Sequence, residues 1–164
     1  MNATSAHEKV KKAWALARAI RVPMLTTLHA ASLAARPMYA IIPDRDEVIW
    51  FITERGSAKV ADAGQSPEAL LTFSDGPDGD HLVMAGNITV INDRLKLKSL
   101  WNAGADIFFP KGPTDQAAVL LRFDPTNAEY WTGGSGLIAF AINFVTAKIT
   151  GGSLGVGDHA TVNL

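Results

Sequence analysis

Apolar residues in the first segment of the chain recur with the period of an α-helix. One face carries Val10, Ala13, Trp14 and Ala17, and the opposite face carries Lys9, Lys11 and Lys12. Ser5 followed by Glu8 is the pattern of a capping box, which marks a helix start, and Pro23 cannot continue a helix. We therefore predict an amphipathic helix from Ser5 to about Ile20.

Downstream, short runs of apolar and β-branched residues are separated by turn residues, which is typical of strands. Six strands are predicted, over residues 24–29, 34–42, 48–53, 68–74, 81–92 and 117–124. The third is apolar on both faces, as expected of an enclosed strand, and residues 128–131 extend the sixth. Gly86 suggests a bulge or a close backbone approach in the fifth strand. Short helices are predicted at 57–63 and 93–101.

The order of these elements indicates the fold class. Because strands and helices do not alternate regularly, we expect an antiparallel barrel with helical additions rather than a parallel sheet. We predict an irregular segment over residues 102–116. We predict a helix over residues 137–150 that is apolar nearly all round. Such a helix is expected to be buried in the fold or in a subunit interface. We expect one domain over residues 1–164, with its core in about 5–150 and a Gly-rich tail at 151–164.

Composition narrows the function class. The formal net charge is -1 and the chain has no basic run, so we do not expect nucleic-acid binding. The absence of cysteine excludes disulfides and thiolate chemistry and suits a reducing cytoplasm. The 4 histidines lack the spacing of metal ligands. The N-terminus lacks the apolar core of a signal peptide, and the longest apolar segment is shorter than the roughly 20 residues that span a bilayer, so no membrane is expected.

Groups that can hold a phosphate are concentrated between Arg36 and Lys59. If Ser57 caps the helix that follows it, its hydroxyl and the free N–H groups of the first turn converge on a point that favours negative charge. Lys59 in the first turn is badly placed for the helix dipole unless an anion binds there. Arg36 on the neighbouring strand can add a bidentate, charged pair. The alternative is that Ser57 only caps the helix and that both cations are solvated.

Several short motifs, in this order and spacing, resemble a known family. The first group is Arg36-Pro37-Met38, then Trp50-Phe51-Ile52-Thr53, then Ser57-x-Lys59. The second group is Val83-Met84-Ala85-Gly86, Asp93-Arg94, Leu100-Trp101, Phe109-Pro110-Lys111-Gly112-Pro113-x-Asp115, Leu120-Leu121 and Ala128-Glu129-Tyr130-Trp131. Together they resemble the pyridoxamine 5'-phosphate oxidase-like FMN-binding split barrels, in the general stress protein branch. The resemblance extends from the first helix to about Gly155.

The resemblance implies a mainly β protein with helical additions: a six-stranded antiparallel split β-barrel that forms a homodimer with FMN at the subunit interface. It implies that Arg36, Ser57 and Lys59 hold the phosphate. It also implies a set that lines the ribityl chain and the isoalloxazine ring, namely Pro37, Met38, Phe51 and Thr53, with His81 facing the flavin. Trp101, Phe108 and Phe109 would come from the partner chain and cover the ring. The alternative for each aromatic residue is packing in the core or in the dimer interface.

Departures from the family pattern limit the expected activity. The strand that bears Arg36 ends in Ala40-Ile41-Ile42, without the second cation that holds a substrate phosphate in true pyridoxamine phosphate oxidases. The C-terminus has Gly157-Asp158-His159 in place of an Arg-x-His pattern. Genuine B6 oxidase activity is therefore not expected. Ala58 replaces a second basic residue of many relatives, so FMN affinity is expected to be modest.

Three functions remain open from the sequence. The first is an FMN-dependent oxidoreductase that uses a reduced nicotinamide or another small-molecule substrate, with no acid or base that the sequence singles out. The second is a stress protein that stores or senses FMN without turnover. The third is a dimeric split barrel that has lost its flavin.

Overall fold

The computed structural model describes residues 3–44, 46–133 and 159–164. The helices are α1 (Ala3–Ile20), α2 (Ala58–Gln65), α3 (Arg94–Leu100) and α4 (Ala103–Phe108), with a single 3-10 turn at Gly112–Thr114. The strands are β1 (Met24–His29), β2 (Ser32–Pro37), β3 (Ile49–Glu54), β4 (Glu68–Asp75), β5 (Asp80–Ile91), β6 (Ala118–Trp131) and β7 (His159–Asn163).

All pairings between the described strands are antiparallel, in the order β2-β1-β4-β5-β6-β3. The long strand β6 has β5 on one edge and, on the other, β3 beside its first half and β7 beside its second half. The backbone after β2 returns to β3 through an isolated bridge between Ile41 and Trp50. The sheet therefore curls back on itself, and the predicted mainly β, antiparallel split barrel with helical additions is confirmed.

Strand β3 separates two hydrophobic clusters, since neighbouring side chains on a strand point to opposite faces. Phe51 packs in the larger, interior cluster, and Trp50 packs in a smaller cluster with Leu97 and Phe109. The prediction that this strand is enclosed on both faces is confirmed. Helix α1 contributes its predicted apolar face to the larger cluster, where Trp14 is buried.

Several predicted boundaries were wrong. Helix α1 begins at Ala3, two residues before the predicted capping residue Ser5. Strand β2 begins earlier than predicted because Ala30 and Ala31 form the turn, with φ of 45° and 66°. Two-residue hairpins need this left-handed backbone, which Gly and Asn adopt more readily than alanine, so two alanines are a weak turn signal. The strand also ends at Pro37. The Met38 N–H still donates to the carbonyl oxygen of Pro23 at 3.0 Å, but Pro23 has no N–H to return the bond.

Two elements were not predicted. Helix α4 lies in the segment expected to be irregular, where the Asn102 side chain accepts a hydrogen bond from the Ala105 N–H and caps it. Strand β7 lies in the Gly-rich tail and pairs with the second half of β6. The described residues thus contain seven strands rather than the predicted six. The predicted helix at 137–150 lies outside the described residues.

The backbone approaches closely at Gly86, as predicted, and a register shift lies between Ala85 and Gly86. A Cβ atom at Gly86 would lie 2.3 Å from the carbonyl oxygen of Asp124 and 2.8 Å from the Cα of Pro125. These atoms belong to the backbone of β6, so no flexible side chain is there to move aside. Only glycine therefore fits this bulge.

Replacing Gly86 with alanine is expected to lower the free energy of unfolding by about 1–3 kcal/mol, the usual cost of overpacking. Chemical denaturation of the variant measures the change. Gly64→Ala is the matched control, because a Cβ at this helical position would meet no described atom within 4 Å beyond its own helix. The control should raise stability by up to about 1 kcal/mol. Equal effects of the two variants would contradict the close-approach argument.

Candidate functional site

Alternate residues of β1 direct polar groups toward α2. Leu25, Thr27 and His29 share one face of the strand because its side chains alternate. Leu25 is buried in the core, and the other two contact Asp62 on α2. The side chain of Asp62 is only 2% exposed. A carboxylate buried to this degree needs hydrogen-bond and charge partners to remain ionised.

Asp62 has three such partners. Oδ2 accepts a hydrogen bond from the Thr27 hydroxyl at 2.7 Å and another from Nη2 of Arg36 at 3.2 Å. Oδ1 lies 2.6 Å from Nδ1 of His29. Nη1 of Arg36 donates to the Thr27 hydroxyl and to the carbonyl oxygen of Ala34. We call Thr27, His29, Arg36 and Asp62 the Asp62 network.

Two opposing effects act on the pKa of Asp62. Burial is the largest single effect and raises the pKa, but hydrogen bonds from His29 and Thr27, the charge of His29 and the hydrogen bond from Arg36 together hold the pKa below its usual value. A carboxyl group with a lowered pKa in the folded state stabilises the fold above its unfolded pKa, and loses that contribution as pH falls through the folded value.

We therefore expect the stability advantage of the wild-type protein over Asp62→Asn to be fully present at about pH 5–6 and to shrink as pH falls below about 4, the ordinary pKa of aspartate. Unfolding midpoints in denaturant, measured for both proteins between about pH 2 and pH 6, test this expectation. An advantage that grows as pH falls would contradict the lowered pKa of Asp62.

The start of α2 carries a second set of polar groups. Ser57 is the N-cap residue, but its side chain makes no capping hydrogen bond, and Oγ is buried without a partner among the described residues. The pKa of Lys59 is lowered by burial and by the nearby charge of Arg36, and Glu54 opposes this shift. An anion beside these groups would accept from the Ser57 hydroxyl and relieve the repulsion between Lys59 and Arg36. The residues present therefore fit a phosphate group.

Arg36 reaches α2 through Asp62, and its charge acts on Lys59, which lies two residues after Ser57. The alternative that Ser57 only caps the helix does not hold, since no capping bond forms. Both cations are also partly shielded rather than fully solvated. Sequence reasoning missed Asp62, which sits on the buried side of α2. The available signal was an acidic residue on a helix whose neighbouring apolar residues pack against the larger core.

The residues predicted to line the ring fall in different environments. Pro37 is exposed at the end of β2, and Met38 packs against the larger core. Thr53 is buried on β3. Phe51 is fully buried inside the barrel, so its side chain is a core residue and is not available to a ligand in this conformation.

The remaining predicted site residues lie elsewhere on the chain. His81 is exposed on β5, with Nδ1 3.1 Å from the Ser74 hydroxyl. Trp101 donates from Nε1 to Asp106 at 2.8 Å, and its ring centroid is 6.0 Å from that of Phe109. Phe109 is buried, whereas Phe108 is 77% exposed. No described contact joins any of these side chains to the Asp62 network.

The described residues bear on two further features: a metal site and a helix that could span a membrane. They contain no cluster of three or more His, Asp or Glu side chains that could hold a metal ion. None of the helices among them is long and apolar enough to cross a bilayer.

Comparison with known proteins places the chain in a family. A family model for "Pyridoxamine 5'-phosphate oxidase like" proteins matches residues 8–155. No curated protein sequence matches the chain.

Solved structures match over most of the chain. A candidate general stress protein 26 from Jannaschia sp. CCS1 is 26% identical with a TM-score of 0.77, covering 97% of this chain and 99% of that one. The general stress FMN/FAD binding protein of Xanthomonas citri is 30% identical with a TM-score of 0.71, covering 80% and 93%. A candidate general stress family protein from Xanthomonas campestris pv. campestris is 31% identical with a TM-score of 0.69, covering 80% and 91%. The chain belongs to the pyridoxamine 5'-phosphate oxidase-like family, in its general stress protein branch.

Proposed function

We propose that this protein binds FMN and positions it for oxidation–reduction chemistry. The observation that supports this most directly is the buried, unpartnered hydroxyl of Ser57 beside two cations that act on one another, Lys59 and Arg36. A buried hydroxyl without a partner costs free energy, which a bound acceptor would recover. The relative from Xanthomonas citri is named as an FMN/FAD binding protein, which supports a flavin as the ligand.

The phosphate of FMN would accept from Ser57, Lys59 and the free edge of Arg36. Pro37, Met38 and Thr53 would line the ribityl chain and the ring, and Phe51 would support them from the core. We also propose that His81 faces the flavin. When bound, the flavin supplies hydride or electron transfer, while the residues of this chain bind it, orient it and shield it from water.

A second copy of the chain is proposed to complete the site. Phe108 and the adjacent Ile107 are each 77% exposed at the end of α4. Apolar side chains exposed side by side are characteristic of interaction surfaces. We propose a homodimer with FMN at the interface, in which Trp101, Phe108 and Phe109 of one protomer cover the ring held by the other.

The proposed electron donor is a reduced nicotinamide or another small molecule, and genuine B6 oxidase activity is not proposed. We also propose a cytoplasmic location, supported by the absence of cysteine. The alternative function is FMN storage or sensing without turnover. The Xanthomonas citri relative is named for flavin binding, which both functions share.

The absorption spectrum of the freshly purified protein, followed by a nicotinamide oxidation assay, tests these functions. Bound flavin with steady nicotinamide oxidation supports the oxidoreductase, and bound flavin without it supports storage or sensing. A colourless protein that takes up no added FMN would leave only a split barrel that has lost its flavin.

Ser57→Ala separates a ligand-binding role of this residue from a structural one. The variant is expected to weaken FMN binding by about 1.5–3 kcal/mol, the contribution of a hydrogen bond to a charged group. The apoprotein should keep or slightly raise its melting temperature, because the lost hydroxyl had no partner. A destabilised apoprotein with unchanged FMN affinity would show that Ser57 serves the fold instead.

A further inference from the structure

The guanidinium group of Arg36 is held along one of its edges. Nη1 donates to the Thr27 hydroxyl and Nη2 donates to Oδ2 of Asp62 at 3.2 Å. These two acceptor oxygens are themselves 2.7 Å apart because the Thr27 hydroxyl donates to Oδ2. The carbonyl oxygens of Leu25 and Ala34 also lie within 3.4 Å and 3.1 Å of Nη1. The edge between the two terminal nitrogens is therefore fully used.

The other edge of the guanidinium has no described acceptor. None of the described hydrogen bonds involves Nε of Arg36, and Nη2 has a second proton beyond the one directed at Asp62. The side chain is 22% exposed, so a ligand can reach it. An arginine fork that presents Nε and Nη2 together matches two oxygens of a phosphate.

Asp62 also links Arg36 to the rest of the phosphate site. It lies on α2, three residues after Lys59, and the same helix begins after Ser57. Its pairs with Arg36 and Thr27 fix the start of α2 relative to β1 and β2. A buried ion pair contributes little net stability compared with an apolar pair, because desolvating the charges offsets their attraction. Holding groups in a fixed orientation is the better-supported use of such a pair.

We propose that Asp62 is a positioning residue for flavin phosphate recognition: it fixes Arg36 along one edge so that the opposite edge faces the phosphate, and it aligns that edge with Ser57 and Lys59. This inference rests on the proposed binding of FMN. Thr27 assists as the shared hydrogen-bond partner of Arg36 and Asp62. Asp62 itself does not touch the ligand.

A double-mutant cycle with two ligands tests the proposal. Dissociation constants for FMN and for riboflavin, which lacks the phosphate, are measured by flavin fluorescence for wild type, Asp62→Ala, Arg36→Ala and the double variant. Asp62→Ala is expected to weaken FMN about 10- to 100-fold, the range of one charged hydrogen bond, and to change riboflavin by less than about twofold. With Arg36 already replaced, Asp62→Ala should have no further effect on FMN.

Two results would overturn the proposal: an equal loss of affinity for both flavins, or losses for Asp62 and Arg36 that multiply. If Asp62→Ala does not fold, Asp62→Asn takes its place in the cycle, since it keeps the shape of the side chain and an acceptor oxygen. Asp44→Asn, at a carboxylate that is 99% exposed, is the control and should bind both flavins as the wild type does. Wild-type protein with no preference for FMN over riboflavin would overturn the proposed phosphate site itself, whereas a preference that is unchanged in Asp62→Ala overturns only the role of Asp62.

Discussion

Replacing Arg36 and Lys59 together with alanine is expected to weaken FMN binding by about 3–6 kcal/mol, since a hydrogen bond to a charged group contributes about 1.5–3 kcal/mol. The two cations lie on different elements, β2 and α2, yet the charge of Arg36 lowers the pKa of Lys59. Their repulsion in the free protein becomes attraction to the same phosphate in the complex. We therefore expect the double variant to lose affinity for the phosphate and to keep its affinity for the ring.

Flavin titrations with two ligands check this expectation. Riboflavin affinity should change little in the double variant, because riboflavin has no phosphate to lose. Lys11→Ala combined with Lys98→Ala is the matched control, since it removes two exposed cations outside the site. Equal loss of FMN and riboflavin affinity would indicate damage to the fold, and unchanged FMN affinity would refute the phosphate assignment.

The second large effect concerns stability. Asp62→Ala is expected to lower the free energy of unfolding of the apoprotein by about 3–5 kcal/mol, the cost of removing one partner of a buried ion pair. The variant leaves Arg36 without its carboxylate partner, and it removes the acceptor of the Thr27 hydroxyl. It also leaves space where a side chain was 98% buried.

Denaturant unfolding of the flavin-free protein measures this loss directly. Asp44→Ala is the comparison, because its ion pair with Arg18 is long, at 3.9 Å, and exposed. The comparison variant should stay within about 0.5 kcal/mol of the wild type. A loss below about 1 kcal/mol for Asp62→Ala would mean that the Asp62 network adds little to the fold.

The sequence contained enough information to predict the barrel and to single out a candidate phosphate site. Short runs of apolar and β-branched residues, separated by turn residues, predicted six of the seven described strands. The Gly56-Ser57-Ala58-Lys59 segment identified the start of α2 as a candidate anion site. Local patterns suffice for such features because strand alternation and helix starts depend mainly on neighbouring residues.

Features that depend on distant contacts were not predictable in the same way. The role of Asp62 depends on Thr27 and Arg36, which are 35 and 26 positions away along the chain. Strand β7 forms because its backbone pairs with β6, and its own composition gives no clear strand signal. The same limit applies to the prediction that Phe51 lines the flavin. The sequence shows an aromatic residue on an enclosed strand, but it does not show whether the side chain faces a ligand or the core. The structure places it in the core.

Equilibrium titration of the flavin-free wild-type protein with FMN, followed by the quenching of flavin fluorescence, tests the central claim most directly. We predict saturable binding of one FMN per chain, and weaker binding of riboflavin because Ser57, Lys59 and Arg36 recognise the phosphate. Absence of saturable FMN binding, or equal affinity for FMN and riboflavin, would contradict it.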